Sequence, residues 1–156
     1  MSSPSDIPAL PAIPAPVTFE RVAACLPPQG SVADGEKQRI FRRWDQTVMS
    51  IWVSQGEATM LLFHATQPNR TFPLDRAAAI AAFANNWHRD RLWPTIVVVT
   101  TPEHAAMHTQ LAIDIGAGLT DDQLRGQLQL VEVTIRQAMT AFNEAFEPPS
   151  PDPQSG

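Results

Sequence analysis

The stretch NNWHRDRLWPTIVVVTTPEHAAMHTQLAIDIGAGLTDDQL, residues 85–124, decides the fold of this chain. Every residue from 95 to 101 is β-branched, which is the composition that strands favour. A second strand is predicted over 106–115, because apolar and polar residues alternate along most of it. Pro94 ends the helix before the first strand, since proline moves its predecessor out of the α region. The stretch therefore predicts a helix followed by two adjacent strands.

The end of this stretch begins a long amphipathic helix. Thr120 and Gln123 have the spacing of a capping box, in which each side chain bonds the backbone N–H of the other residue. Apolar residues then recur every three or four positions, at Leu124, Leu128, Val131, Ile135, Ala138, Phe142 and Ala145. This spacing predicts a helix of roughly 25 residues with one apolar stripe. The stripe is one candidate contact for a homodimer, and an exposed face of the sheet is the other.

Three further strands are predicted in the first half of the chain, over 39–44, 48–54 and 58–65. The short turns between them favour an antiparallel meander. The third run is almost entirely apolar, which is typical of a central strand that is buried on both faces. One helix precedes the meander, with Thr18 as its N-cap, and another follows it, with Asp75 as its N-cap.

The predicted order of elements is α-βββ-α-ββ-α, with residues 31–38 and 66–73 as loops. This order indicates an α+β fold in which helices cover a mostly antiparallel five-stranded sheet. A single domain over 17–147 suits the length of 156 residues. Proline recurs in residues 1–16 and 148–156, and both segments are predicted to be disordered.

The composition argues against several classes of protein. The net charge is −5, whereas a general nucleic-acid binder needs clustered Lys and Arg. Cys25 is the single cysteine, so no intrachain disulfide forms. No apolar run approaches the ~18 residues of a membrane span, and the N-terminus lacks the basic region of a secretory signal. We expect a cytoplasmic protein with no membrane or nucleic-acid partner.

The side chains that usually carry catalysis do not form a recognisable motif. His104 and His108 have a spacing that suits a metal on a helix, but they are predicted at a turn and on a strand. His88 and Asp90 are interpreted as part of a polar helix end, where nearby basic groups complement the helix dipole. The alternative is a small-ligand or enzymatic pocket near His88 and Asp90. No catalytic, cofactor-binding or metal-binding residue is assigned.

Aromatic and basic side chains are the candidate contacts for a partner, because Trp and Arg are enriched at protein-binding hot spots. Trp52 is favoured because Ser50 and Ser54, its neighbours on the same face of the strand, are polar. Residues 41–44 interleave arginine with aromatic side chains, as single-strand nucleic-acid binders do. That pattern gives a third and less favoured hypothesis, nucleic-acid binding.

The pattern NxWHRDxxWP from residue 85, two strands and then GLTDDQL from residue 118 resembles the YbjN domain family over roughly residues 18–147. That family is described as bacterial sensory-transduction regulators. It is similar in fold to type III secretion chaperones, which are α+β proteins, commonly dimeric, that bind other polypeptides. The family pattern has a second asparagine after the tryptophan, where this chain has His88.

The resemblance and the lack of a catalytic motif favour a non-enzymatic protein-binding module, chaperone-like or regulatory. We expect it to hold a polypeptide partner on its sheet or helix surface and to form a homodimer. The candidate partner contacts are Arg42, Trp44, Trp52 and His88.

Overall fold

A computed structural model describes residues 12–54, 56–57 and 59–146 of the chain. The α-helices and strands in this part are α1 Phe19–Cys25, β1 Ser31–Asp34, β2 Arg39–Trp44, β3 Thr47–Val53, β4 Met60–Thr66, β5 Phe72–Pro73, α2 Ala77–Asp90, β6 Thr95–Thr100, β7 His104–Asp114 and α3 Asp121–Ala145. A 3-10 helix, Leu74–Arg76, directly precedes α2.

The seven described strands form one antiparallel sheet. Strands β1, β2, β3, β4 and β7 lie side by side in that order, and β5 and β6 both pair with β7. The predicted α+β class and the β2–β4 meander are confirmed, since Ile51 pairs with Ile40 on one side and with Phe63 on the other. The predicted number of five strands is wrong.

Two strands lie where loops were predicted. Ser31–Asp34 pairs only with β2 among the described strands, and its apolar residue Val32 is exposed. An edge strand of four residues without a buried face leaves no alternation to detect. Phe72–Pro73 is two residues long and contains a proline, so its sequence does not resemble a strand either.

The second helix begins differently from the prediction. Asp75 was predicted as its N-cap, but Asp75 lies inside the 3-10 helix Leu74–Arg76. Arg76 occupies the N-cap position of α2 and makes no side-chain capping bond. Pro73 is extended (φ −54°, ψ 147°) and the 3-10 helix starts directly after it, so Asp75 lies within a helical turn, whereas an N-cap residue has a non-helical backbone.

The other two helix starts agree with the sequence. The hydroxyl of Thr18 accepts a hydrogen bond from the backbone N–H of Arg21 at 3.2 Å. In the predicted capping box, Thr120 Oγ1 accepts from the N–H of Gln123 at 3.1 Å, and Gln123 Oε1 accepts from the N–H of Thr120 at 2.9 Å. These bonds are local, which is why the sequence identifies them.

The described α-helices lie on one face of the sheet. Glu132 of α3 bonds Arg42 on β2, and Phe83 of α2 contacts Phe142 of α3 with ring centroids 5.5 Å apart. Val22 of α1 packs with residues of β2, β3 and β4 on the same face. The residues beneath the helices form one hydrophobic core.

The apolar stripe of α3 belongs to this core. Its members Leu124, Leu128, Val131, Ile135, Ala138 and Phe142 are buried, while the last member, Ala145, is exposed. The prediction that the stripe forms a homodimer contact is therefore wrong, because the sheet of the same chain already covers it.

The first described residues are tied to the start of α3. Ala15 and Leu119 exchange backbone hydrogen bonds of 3.1 and 3.0 Å. Gly118 has φ +75°, and a Cβ there would lie 2.6 Å from the carbonyl oxygen of Ala15, so this close approach requires glycine. Of the segments predicted to be disordered, 1–16 and 148–156, residues 1–11 and 148–156 lie outside the described residues, and Ala15 makes the backbone bonds just given.

Candidate functional site

The face of the sheet opposite the helices, which we call the open face, is formed by alternate residues of neighbouring strands. Cross-strand pairing joins Trp52 to Leu62 and Leu62 to Ala112 in one row. The next row joins Ser50 to His64 and His64 to Gln110. On β4 the residues between these, at 61, 63 and 65, are buried under the helices. The prediction that β4 is buried on both faces is therefore wrong.

A shallow depression of about 320 Å³ lies in the middle of the open face. The side chains that line it include those of Trp52, Leu62, His64, Thr95, Gln110 and Ala112. The guanidinium carbon of Arg39 lies 4.3 Å from the centroid of the Trp52 ring, a cation–π distance that fixes the ring in place. The floor of the depression is mostly apolar, with polar groups at its rim.

Two histidines lie side by side on this face. Nε2 of His64 is 2.8 Å from Nδ1 of His108, so one ring donates a hydrogen bond to the other. Burial lowers the pKa of both imidazoles, Arg39 lowers the pKa of His64 further, and His64 does the same to that of His108. Because both pKa values lie below the usual value of about 6.5, the neutral pair contributes to the stability of the fold above that pH, and this contribution is lost as the pH falls. At neutral pH the histidine pair is therefore uncharged.

Arg42, a predicted partner contact, lies on the helix-covered face. Its side chain is 9% exposed, and Nη2 is 2.9 Å from Oε2 of Glu132 on α3. Arg42 Nη1 also donates to the carbonyl oxygen of Gln29 at 2.7 Å. These bonds join the sheet to α3 inside the chain. Arg42 is therefore not available to a partner, and this prediction is corrected.

Trp44 lies beside Arg42 on the covered face and is 9% exposed. The guanidinium of Arg136, on α3, lies over its ring with the carbon 4.7 Å from the ring centroid. Phe41 and Arg43 point to the open face instead, because neighbours on a strand alternate. The interleaved residues 41–44 thus do not make one surface of stacked bases and cations. Of the predicted contacts, Trp52 lies on the open face, and Trp44 does not.

His88 joins the end of α2 to the start of β6. The backbone N–H of Ile96 donates to Nε2 of His88 at 2.9 Å. Nearby, Nε1–H of Trp87 donates to the carbonyl oxygen of Trp93 at 3.3 Å. Neither His88 nor Asp90 lines the depression on the open face.

Replacing His88 with alanine should lower the free energy of unfolding by about 1 kcal/mol, because the Ile96 N–H loses its acceptor. His88→Gln places an amide oxygen near the position of Nε2 and should recover most of that loss. Urea unfolding followed by circular dichroism measures both variants. Equal stabilities of the alanine and glutamine variants would contradict the role given to this hydrogen bond.

The described residues also bear on membrane and metal binding. No helix among them is both long enough and apolar enough to cross a membrane. Within the same residues, no three side chains of His, Cys, Asp or Glu are grouped so that they could hold a metal ion.

The described residues thus form an α+β fold in which helices cover one face of an antiparallel sheet and an apolar depression lies on the other. The family model "Putative bacterial sensory transduction regulator", YbjN, matches residues 28–144, and the chain belongs to this family. The solved structure "Crystal structure of YbjN, a putative transcription regulator from E. coli" is similar in fold, with a TM-score of 0.65 and 13% sequence identity. The match covers 84% of this chain and 96% of that one. No curated protein matches the chain.

Proposed function

We propose that this chain is a non-enzymatic regulatory module that binds a polypeptide on the open face. The main support for this proposal is that the described helices cover only one face of the sheet. The described helices bury one face, while Trp52 and Leu62 remain half-buried on the other. An apolar surface that its own chain leaves uncovered is typical of an interaction site. Membership of a family of regulators supports a binding role over a catalytic one.

The dimensions of the surface favour an extended polypeptide. The open face continues across β2, β3, β4 and β7, about 14 Å from the first strand axis to the last. The depression at its centre is large enough for one apolar side chain and lies beside a tryptophan, a residue enriched at hot spots. A small ligand would leave most of this surface uncovered.

The charges around the depression narrow the class of partner. Arg39 lies over Trp52, Arg43 is exposed further along the same strand and the same face, and Asp114 is exposed on this face at the end of β7. At neutral pH the histidine pair adds no charge. We therefore expect a segment with an apolar anchor residue and acidic residues next to it, since acidic groups would complement the two arginines.

Capture of partners from the native cell, followed by mass spectrometry, tests this function. A partner held by the wild type should be lost or reduced at least about tenfold with Trp52→Ser, because truncating a hot-spot tryptophan costs more than about 2 kcal/mol. Trp93→Ser is the matched control, since Trp93 is 48% exposed but lies off the open face. A partner that is lost to the same extent with both variants, or that is retained with both, would contradict a site on the open face.

Homodimerisation remains a prediction. Since the α3 stripe is buried, the other predicted contact, an exposed face of the sheet, is left for a second copy, and the open face is such a surface. The edge of β6 is a further candidate, because β6 pairs only with β7 among the described strands and Leu92 and Val99 are exposed just before it and along it.

A further inference from the structure

A second cavity, of about 340 Å³, lies between the turn that joins β2 to β3 and the C-terminal half of α3. It lies on the helix-covered side of the sheet, so it is separate from the open face. Its lining is mainly polar and includes Thr47, Gln67, Arg70, Arg136 and Asn143. The cavity thus has the character of a site for a small polar molecule rather than for a protein surface.

Arg70 is the unusual group in this lining. Its Nε and Nη2 atoms are shielded from solvent and have no hydrogen-bond partner among the described residues. The guanidinium carbon lies 5.8 Å from the ring centroid of Phe72 and 5.9 Å from that of Phe142. No acidic side chain in the described part of the chain pairs with it. Burial without such a partner lowers the pKa of Arg70.

The two unpaired nitrogens suit one kind of ligand. Nε–H and one N–H of Nη2 are parallel on the same edge of a guanidinium, and a carboxylate accepts both at once. Asn143 Oδ1, in the same cavity, is also shielded and has no donor. Together the groups offer two donors to a carboxylate and one acceptor to a hydroxyl or amino group.

We propose that this cavity binds a small monocarboxylic acid, with its carboxylate on the Nε–Nη2 edge of Arg70 and a donor group on Asn143. The volume of the cavity is near the lower end of the range for small-molecule sites. Asp45 is exposed at the cavity wall and disfavours a second negative charge on the ligand. Because solvent does not reach the two nitrogens, this contact requires the Arg70 side chain to turn towards the cavity.

Titration of the full chain with sodium acetate, followed by ¹H–¹⁵N NMR, tests the carboxylate contact, and the same titration with sodium glycolate, which adds a hydroxyl donor for Asn143, should show tighter binding. Sodium chloride at equal ionic strength controls for salt, and sodium succinate controls for a second charge. We expect acetate to shift the Arg70 Nε–H and the Asn143 side-chain amide resonances along a saturating curve. Chloride should not saturate, and succinate should bind more weakly than acetate.

Variants identify the group that binds the acid. Arg70→Lys keeps the charge but removes the two-donor edge, so the acetate affinity measured at the Asn143 amide should fall at least about tenfold. Arg76→Lys is the matched control, because Arg76 is exposed and lies over the Phe146 ring of the same aromatic cluster. Acetate shifts that rise linearly and equal those of chloride in the wild type would overturn the proposal. So would an Arg70→Lys variant that is folded and binds acetate as the wild type does.

Discussion

Replacing Phe142 with alanine should lower the free energy of unfolding by about 3–5 kcal/mol, the range for a buried aromatic residue in a core. Phe142 is 2% exposed and contacts the rings of Phe72, Phe83 and Phe146, so it joins α3 to α2 and β5. Urea unfolding measured by circular dichroism gives the loss. Leu130→Ala is the matched control, because Leu130 is on the same helix but 48% exposed, and it should change stability by less than about 0.5 kcal/mol.

The same variant distinguishes a core from a dimer contact. If the α3 stripe joined two copies, the unfolding midpoint of the wild type would rise with protein concentration, and Phe142→Ala would abolish that rise. We expect the difference between wild type and variant to be the same at every concentration. A concentration-dependent difference would contradict the assignment of the stripe to the core of one chain.

Replacing Glu132 with glutamine should lower the free energy of unfolding by about 3 kcal/mol, because it leaves the charge of Arg42 buried without its partner. Glu132 accepts hydrogen bonds from Arg42 at 2.9 and 3.1 Å and from Arg136 at 2.8 and 3.1 Å. Arg136 is half-exposed and can turn to solvent, whereas Arg42 cannot. Urea unfolding measures the loss, which should far exceed that of Glu144→Gln, an exposed position on the same helix.

A double variant distinguishes the loss of the ion pair from the cost of leaving the Arg42 charge buried without a partner. Arg42→Met with Glu132→Leu removes both charges and should be more stable than Glu132→Gln alone, since apolar residues of similar size often replace a buried ion pair without loss. A double variant less stable than Glu132→Gln would contradict this explanation. A cost below about 1 kcal/mol for Glu132→Gln would show that the pair is solvated like a surface salt bridge.

The parts of the fold that the sequence predicts are those with local signals. The capping box of Thr120 and Gln123 and the stripe of α3 depend on residues close together in the chain, and both are present. The strands β1 and β5 have no such signal, because pairing with a neighbour alone defines them. Asp75 gives a local capping signal, but it lies inside the 3-10 helix that precedes α2, so the signal places the helix start wrongly.

The sequence predicts a residue of the candidate site only where the pattern within a single strand shows which face that residue is on. Ser50 and Ser54 indicate the open-face row of β3 on which Trp52 lies, although Ser50 itself is buried. His64 was hidden by the nearly apolar sequence of β4, and its contact with His108 depends on the register of two strands 44 residues apart. Arg42 was misassigned because its partner, Glu132, lies 90 residues further along the chain. Arg70 and Asn143 have no sequence signal, since a loop and a helix end bring them together.

Site-specific photo-crosslinking shows whether a polypeptide binds the open face. A benzophenone amino acid is placed at Leu62, in the central depression, and in a second variant at Leu130, on the exposed side of α3. If the polypeptide binds the open face, the partner captured in the cell crosslinks from position 62 and not from position 130, and Trp52→Ser removes the crosslink. Crosslinking from position 130 without crosslinking from position 62 would show that the partner binds elsewhere.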